Sequence, residues 1–174
     1  MSKYKKQGIY KVDTLYNKIL LISRNKRFYT KFGLNDTFEN RINLIFLHIS
    51  FLIIKLKKKD KNSPYRQFSQ KMFDHVFEKI EVNMREIGYG DVTVNKNMKF
   101  LVKSFYDILL FCENYTNKKN EIKIHFLSKY LTINNDKKPS NIDLLIGYID
   151  KYQAFCFDLS KDSVLRGELN FNYN

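Results

Sequence analysis

The residues that most often carry chemistry in proteins are few in this chain, and their spacing does not suit catalysis. The three histidines stand at positions 48, 75 and 125, and no HxxxH or HExxH pattern brings two of them onto one helix face. Cys112 and Cys156 stand far apart and form no CxxC pair. We therefore expect no metal site and no cofactor, and we expect two buried thiols in a reducing compartment.

Motifs for nucleotide binding and for nucleophilic catalysis are also missing. Gly88 and Gly90 form only a GxG, and it follows a helical pattern. A dinucleotide-binding turn follows a strand and opens a helix, so the order of elements excludes that function here. Carboxylate pairs such as Asp74 and Glu78 have the spacing of a solvated helix face. The sequence therefore predicts a protein that is not an enzyme, and a deep pocket with converging titratable groups would revive the enzyme alternative.

Two arginines stand out because only six of the 31 basic residues are arginine. Arg41 follows Asp36 at a predicted helix start, and Arg85 follows Glu81 by one helical turn. Asp91 is an available partner for either guanidinium. Two interpretations are open for each arginine. It clamps a turn through a carboxylate, which we favour, or it binds a partner protein directly.

His48 lies in the longest apolar stretch of the chain, residues 42–54. A histidine in such surroundings more often makes a hydrogen bond inside the core than binds a partner, so we favour the core role and keep the partner role open. The stretch is shorter than the ~20 residues that a membrane-spanning helix needs. No secretory signal pattern is visible either. We expect a soluble, cytoplasmic protein.

Apolar residues recur at three-to-four spacing along most of the chain, which predicts helices. Six glycines and two prolines provide few turns, which favours long helices over a many-stranded sandwich. The predicted helices cover residues 12–28, 37–57, 65–87, 91–115, 122–133 and 140–159. The alternation at 121–126 also fits a short strand, but an isolated strand has nothing to pair with.

The expected fold is all-α, a single-domain bundle of about six helices over residues 1–174. The second helix is apolar almost all round, which places it at the centre. A basic arm, residues 1–11, precedes the bundle, and an irregular tail, residues 160–174, follows it. Predicted caps are Asp36 or Thr37 for the second helix, Ser63 with Pro64 for the third, Asp91 or Thr93 for the fourth and Ser140 for the last. Gly88 stands where a left-handed C-cap is expected.

The formal charge is +13, and it concentrates near the N-terminal third. Residues 1–33 contain nine basic residues and one acidic residue, and the run at 55–61 adds five lysines. Two interpretations weigh about equally. The basic arm with its interleaved aromatic residues binds ribosomal RNA or an anionic membrane, or it is a solvated arm that reflects a lysine-rich composition.

Several short motifs occur together in the order and spacing of a known family. They are FYTKFG at 28–33 followed by Asp36 and Thr37, NRINL at 40–44 with His48, MFD at 72–74, MREIGYGD at 84–91, FY at 105–106, and LRGEL at 165–169 with Phe171. They resemble the ubiquinol–cytochrome c chaperone family, chiefly over residues 12–115. Asn40, Asn95 and Asp107 replace glycines that are common in that family, which indicates a divergent member.

The resemblance implies a non-enzymatic assembly chaperone that binds newly made cytochrome b. Such a protein assists the assembly of ubiquinol–cytochrome c reductase, which is respiratory complex III. The resemblance also implies a small partner protein, the ribosome and peripheral contact with the membrane surface, and it implies no small-molecule substrate. Because no organellar presequence is visible, we expect a bacterial relative that works in the cytoplasm or at the inner membrane face. The alternative is a basic protein that binds the ribosome or RNA without a cytochrome client.

The residues that we expect to bind a partner or to clamp the fold come from these motifs. They are Arg41, His48, Arg85, Glu86, Gly88, Gly90, Asp91, Phe105 and Tyr106. A chaperone needs exposed apolar surface for its client, so we expect an apolar or aromatic groove rimmed by Arg41, Arg85 and Asp91.

Overall fold

A computed structural model describes residues 10–57, 63–133 and 140–173 of the chain. The helices, in chain order, are α1 (Val12–Ser23), α2 (Arg27–Thr30), α3 (Phe38–Leu56), α4 (Pro64–Glu86), α5 (Asp91–Cys112), α6 (Asn120–Tyr130), α7 (Ser140–Asp158) and α8 (Lys161–Leu165). A 3₁₀ turn, Tyr115–Asn117, lies between α5 and α6. Within these ranges the only β-pairing is one isolated bridge between Leu34 and Ile133. The prediction of an all-α fold is confirmed.

Helix α3 lies at the centre of the bundle. Every side chain from residue 42 to residue 52 is buried, and α3 contacts α1, α4, α5, α7 and α8. A helix that is apolar on every side gains most from being surrounded, since any exposed face would leave apolar surface in water. The predicted position of this helix is therefore confirmed.

The helix starts follow the capping residues in the sequence. Thr37 caps α3, because its Oγ1 accepts a hydrogen bond from the Asn40 backbone N–H at 3.2 Å. Ser63 caps α4 in the same way, and Pro64 is the first residue of that helix. Helix α7 begins at Ser140, whose side chain lies outside the described residues. The loop 134–139, most of the lysine run and residues 1–9 of the basic arm lie outside them as well.

Three of the predicted helices have other bounds in the structure, and the helix expected over 122–133 spans Asn120–Tyr130. The helix expected over 12–28 is two helices, because the Asn25 Oδ1 accepts a hydrogen bond from the Arg27 backbone N–H at 3.0 Å and starts a new turn. The helix expected to reach residue 115 ends at Cys112, since Asn114 adopts a left-handed φ of +57°.

The segment expected to be irregular, residues 160–174, begins with the short helix α8. The Ser160 hydroxyl caps it by accepting a hydrogen bond from the Ser163 backbone N–H at 3.0 Å. From Gly167 to Tyr173 the chain has no regular secondary structure. A five-residue helix has too few positions to show a periodic pattern, so no helix was predicted there.

Two buried asparagines on α3 hold the chain just after α6. The Asn40 amide donates to the carbonyls of Asn35 at 2.7 Å and Thr132 at 2.9 Å, and the Thr132 backbone N–H donates back to Asn40 Oδ1 at 2.9 Å. Asn43 donates to the Tyr130 carbonyl at 2.7 Å. These bonds satisfy backbone groups that the end of α6 leaves open. A glycine, which is common at position 40 in the family that the chain resembles, has no side chain for these bonds. The asparagine at this position therefore has a structural role.

Candidate functional site

The corner between α4 and α5 is built around Gly88. The Gly88 N–H donates to the Arg85 carbonyl at 3.0 Å, and the Tyr89 N–H donates to the Met84 carbonyl at 3.1 Å. This pair of bonds is a Schellman motif, and it requires the φ of +100° that Gly88 adopts. Gly90 has an ordinary extended φ of −71° and is the N-cap of α5. The prediction of Gly88 as the C-cap of α4 is confirmed, and the prediction of Asp91 or Thr93 as the N-cap of α5 was wrong.

Arg85 connects the two helices across this corner. Its guanidinium bonds Glu81 Oε1 on the preceding turn, at 2.9 Å from Nη2 and 3.2 Å from Nε, and its Nη1 also bonds Asp91. Asp91 is the first residue of α5, and it serves as the partner of Arg85 while Gly90 takes the cap position. All three side chains are substantially exposed. This geometry fits the clamp interpretation of Arg85.

Arg41 makes a separate clamp at the start of α3. Its Nε and Nη2 donate to the two carboxylate oxygens of Asp36 at 2.6 and 2.8 Å, which is a bidentate pair. The hydrogen bonds from Arg41 lower the pKa of the Asp36 carboxyl below its usual value. The two arginines thus have different acidic partners, Asp36 for Arg41 and Asp91 for Arg85.

A groove of about 270 Å³ opens between α1, α3 and α4 next to the corner. Its buried floor consists of Tyr16, Ile42, Ile45 and Ile80. Two partly exposed apolar residues, Phe38 and Ile87, form its sides. Arg24, Arg41, Asn83 and Glu86 complete the lining. The groove is therefore apolar at the bottom, with two cationic side chains and one carboxylate in its lining.

The residues singled out in the sequence divide among four places. Arg41 and Glu86 line the groove. Arg85, Gly88, Gly90 and Asp91 form the corner beside it without lining it. His48 and Phe105 lie in the core, and Tyr106 lies half exposed on the outer side of α5. An apolar groove thus exists in the expected region, lined by Arg41 but not by Arg85 or Asp91.

Sequence reasoning missed several residues of the groove, among them Phe38 and Ile87. Apolar residues at helical spacing look the same in the sequence whether they face the core or a groove. One signal was available. Phe38 is the first residue of α3 and Ile87 is the C-cap of α4, so both continue an apolar stripe to a helix end where less of the bundle covers it.

His48 is completely buried in an aromatic cluster made by α2, α3, α7 and the C-terminal segment. Its Nδ1 donates to the Leu44 carbonyl at 2.6 Å, so the neutral ring accepts at Nε2 from the Tyr148 hydroxyl, also at 2.6 Å. Burial lowers the pKa of His48 to about 4. The rings of Phe28, Tyr148 and Tyr152 pack around it. Both ring nitrogens are occupied inside the core, which fits the core role.

The cluster also contains aromatic residues that the sequence did not predict to be placed there. Phe171 packs on Tyr148 and Tyr152 with ring centroids 5.7 and 5.1 Å apart. Tyr173 packs on Tyr148 at 5.0 Å, and the Arg27 guanidinium lies 4.8 Å from the Tyr173 ring. The C-terminal segment is thereby fastened across α7. Isolated aromatic residues in a segment without periodicity give no signal of such packing.

The described residues do not assemble a reactive group. A cleft of about 680 Å³ contains Cys112, Lys123 and Asp150, but Lys123 and Asp150 pair with each other at 3.1 Å. Burial raises the pKa of the Cys112 thiol well above its usual value, and Cys156 is buried as well. Across the described ranges, no three His, Cys, Asp or Glu side chains are placed to hold a metal ion.

Comparison with known proteins gives the decisive observation. The sequence profile described as "Ubiquinol-cytochrome C chaperone" matches residues 30–171. The chain belongs to the ubiquinol–cytochrome c chaperone family. The matched residues cover α3 to α8 and include the corner and the part of the groove that α3 and α4 form, whereas Tyr16 and Arg24 lie before them.

Relatives in this family include two vertebrate proteins. The ubiquinol-cytochrome c reductase complex assembly factor 1 of Mus musculus is 21% identical over 150 residues, which are 84% of this chain and 49% of the mouse protein. The Xenopus laevis protein of that name is 22% identical over 143 residues, which are 82% of this chain and 70% of the frog protein. This chain thus spans about half the length of the mouse relative.

A crystal structure of the Cbp3 homolog from Brucella abortus has the same fold. Its TM-score is 0.74 at 24% identity, over 93% of this chain and 88% of the other. In the part of the chain that the structure describes, no helix combines the length and the apolar character that a membrane span requires.

Proposed function

We propose that this chain is a non-enzymatic assembly chaperone that binds newly synthesised cytochrome b through the groove between α1, α3 and α4. Membership of the ubiquinol–cytochrome c chaperone family carries the class of function. Two of its relatives are named as assembly factors of the ubiquinol–cytochrome c reductase complex. The groove supports the binding role, because it offers apolar surface next to exposed Phe38 and Ile87.

The groove has room for a few apolar side chains of a client helix, but it is too small to hold a whole helix. A volume of about 270 Å³ holds a few side chains, as in complexes where a helix inserts its anchor residues into a groove. Burial of such anchors against Ile42, Ile45 and Ile80 supplies the hydrophobic driving force. Arg24 and Arg41 beside the groove provide donors for the open carbonyls at the C-terminal end of a client helix.

Two clamps, one at the corner and one at the start of α3, give this groove its shape. Arg85 fixes the angle between α4 and α5 through Glu81 and Asp91. Ile87 lies in the sequence between Arg85 and the turn at Gly88, so the same clamp positions it. The pairing of Arg41 with Asp36 holds the guanidinium beside the groove. We therefore assign Arg85 a positioning role and Arg41 both a structural role and a role in client contact.

We also propose further partners for this chain. They are the ribosome, a small partner protein and peripheral contact at the cytoplasmic side of the inner membrane. The competing function is a basic ribosome- or RNA-binding protein without a cytochrome client, which the formal charge of +13 favours.

Two experiments test this proposal. Deletion of the gene should lower cytochrome b and complex III together. Normal levels of both, with binding to ribosomes that disappears at moderate salt, would establish the competing function instead. In the second experiment, a photoreactive residue replaces Ile87, and the matched control carries it at the exposed Leu144 on α7. Crosslinks to nascent cytochrome b should form from position 87 and not from position 144. Equal yields from the two positions would exclude the groove as the binding site.

A further inference from the structure

The outer face of α5 combines lysines with exposed apolar residues along a single line. Val92, Lys96, Lys99, Lys103, Tyr106 and Leu110 follow one another at alternating intervals of four and three residues, which places them on one side of the helix. Phe100 stands beside this line. The buried residues of α5, among them Leu101, Phe105 and Ile108, lie on the opposite side. We name these seven outer residues the α5 outer face.

The apolar members of this face are among the most exposed apolar residues described. Val92 is 84% exposed, Leu110 63%, Phe100 56% and Tyr106 50%. Scattered exposed apolar residues are common on monomers, but a row of them on one helix marks an interaction surface. At ~1.5 Å per residue, the row from residue 92 to residue 110 extends for roughly 27 Å.

Within the described part of the chain, the charged members of the face have no ion-pair partner. Lys96, Lys99 and Lys103 are exposed, and none of the ion pairs among the described residues involves them. The neighbouring helix α4 carries acids, but Glu81 already binds Arg85 and Asp74 accepts a hydrogen bond from Gln70. The three ammonium groups are therefore available to an external anionic partner.

We infer that the α5 outer face lies on an anionic phospholipid surface. Three lysines at the centre of a helix face attract lipid phosphates, and their alkyl stems lie along apolar surface while their charges stay in water. The flanking Phe100, Tyr106 and Leu110 insert at the boundary between headgroups and acyl chains, as amphipathic interfacial helices do. This inference rests on the membrane contact in the proposed function, to which it assigns a surface. It does not depend on the proposed client, because it concerns a different face of the molecule.

Two other occupants fit the face less well. A partner helix packed along it would bury three consecutive lysines of the seam, which is unfavourable without a matching row of acids. Nucleic acid would satisfy the lysines, and the two aromatic rings could stack on bases. It would leave Val92 and Leu110 without a function, whereas a lipid surface uses every residue of the row.

The test is sedimentation of the full-length protein with vesicles in the absence of any client. One set of vesicles is pure phosphatidylcholine, and the other contains phosphatidylglycerol as well. We expect binding to the second set only. In a triple variant, Lys96→Gln, Lys99→Gln and Lys103→Gln, the partition coefficient should fall at least about tenfold. The matched control, Lys31→Gln, Lys79→Gln and Lys119→Gln, has the same net charge and should stay within about twofold of the wild type.

The control separates a specific face from the general attraction of a protein with a formal charge of +13. Equal losses in the two triple variants, or no binding of the wild type to either set of vesicles, would overturn the inference. A third outcome would replace lipid with nucleic acid: the first triple variant loses binding to ribosomal RNA while its binding to vesicles is unchanged. The paired variant Phe100→Ser and Leu110→Ser keeps all the lysines and should also lose vesicle binding, since insertion needs the apolar residues.

Discussion

The corner between α4 and α5 and the aromatic cluster around His48 both contain residues of the recognisable motifs, yet the two regions use them differently. At the corner, the polar contacts are exposed ion pairs between Arg85, Glu81 and Asp91. In the cluster, His48 and Tyr148 are buried and bonded to each other. Exposed ion pairs contribute little to stability, whereas an unsatisfied buried polar group is strongly unfavourable. The motif residues at the corner therefore set the geometry between α4 and α5, whereas those in the aromatic cluster stabilise the core.

The largest effect is expected in the cluster, from His48→Ala. This change leaves a cavity and removes the acceptor of the Tyr148 hydroxyl, so the free energy of unfolding should fall by about 3–5 kcal/mol. Denaturant unfolding measures it. His125→Ala, at an exposed histidine on α6, is the matched control and should change stability by less than about 0.5 kcal/mol. Similar losses in both variants would contradict the difference between the two regions.

The cluster should also make stability depend on pH. Burial lowers the pKa of His48 from 6.5 to about 4 in the folded protein. Below 6.5 the unfolded chain binds a proton that the folded chain does not, so stability falls as the pH drops from 6.5 towards 4. The loss should approach about 3 kcal/mol. In His48→Gln this component should vanish, so the unfolding free energies of the two proteins should converge in acid. A parallel pH dependence in the two proteins would show that another group is responsible.

A smaller effect is expected at the corner from Gly88→Ala. The φ of +100° at Gly88 strains any residue with a Cβ, so stability should fall by about 1–2 kcal/mol. Gly147→Ala is the matched control, because Gly147 lies inside α7 with nothing within 4 Å of the new Cβ. There the substitution should stabilise the protein by about 0.5–1 kcal/mol. Thermal unfolding distinguishes the two signs, and a loss in both variants would contradict the C-cap account.

The smallest effect on stability is expected from Arg85→Ala, because its ion pairs are exposed to solvent. The unfolding midpoint should stay close to that of the wild type. Client capture should nevertheless weaken, since α5 loses its link to the last turn of α4 beside the groove. A co-purification assay for cytochrome b measures this loss. Unfolding of the variant would show that the corner contributes to stability as the cluster does, and full client capture would remove the positioning role.

Much of the fold could be predicted because the helical pattern is strong in α3, α4 and α5 and because Thr37, Ser63 and Gly88 mark helix ends. The break at Asn25 was missed, since one side-chain hydrogen bond decides it within a continuous apolar pattern. The docking of Phe171 and Tyr173 was also missed, because a segment without periodicity does not show where it packs. From the sequence, Asp91 could pair with either Arg41 or Arg85. Only the geometry of the corner shows that Asp91 pairs with Arg85.

The surface was harder to predict than the core, for a physical reason. Phe38 and Ile87 have the same apolar character as the buried residues of their helices, and only the positions of neighbouring helices decide their exposure. The α5 outer face was equally hard to predict from the sequence. Its residues are separated by helical intervals in the sequence, and they become a distinct surface only when the other side of α5 is seen to be buried.

The most direct test of the central claim is complementation of a gene deletion with two paired variants. Phe38→Ser with Ile87→Ser removes the apolar sides of the groove, and Ile122→Ser with Leu144→Ser removes exposed apolar residues elsewhere. Both proteins should fold, as circular dichroism and thermal unfolding would verify. We expect the second pair to restore cytochrome b and complex III and the first pair to leave both low. Full restoration by the groove variant would contradict the claim that this groove binds the client.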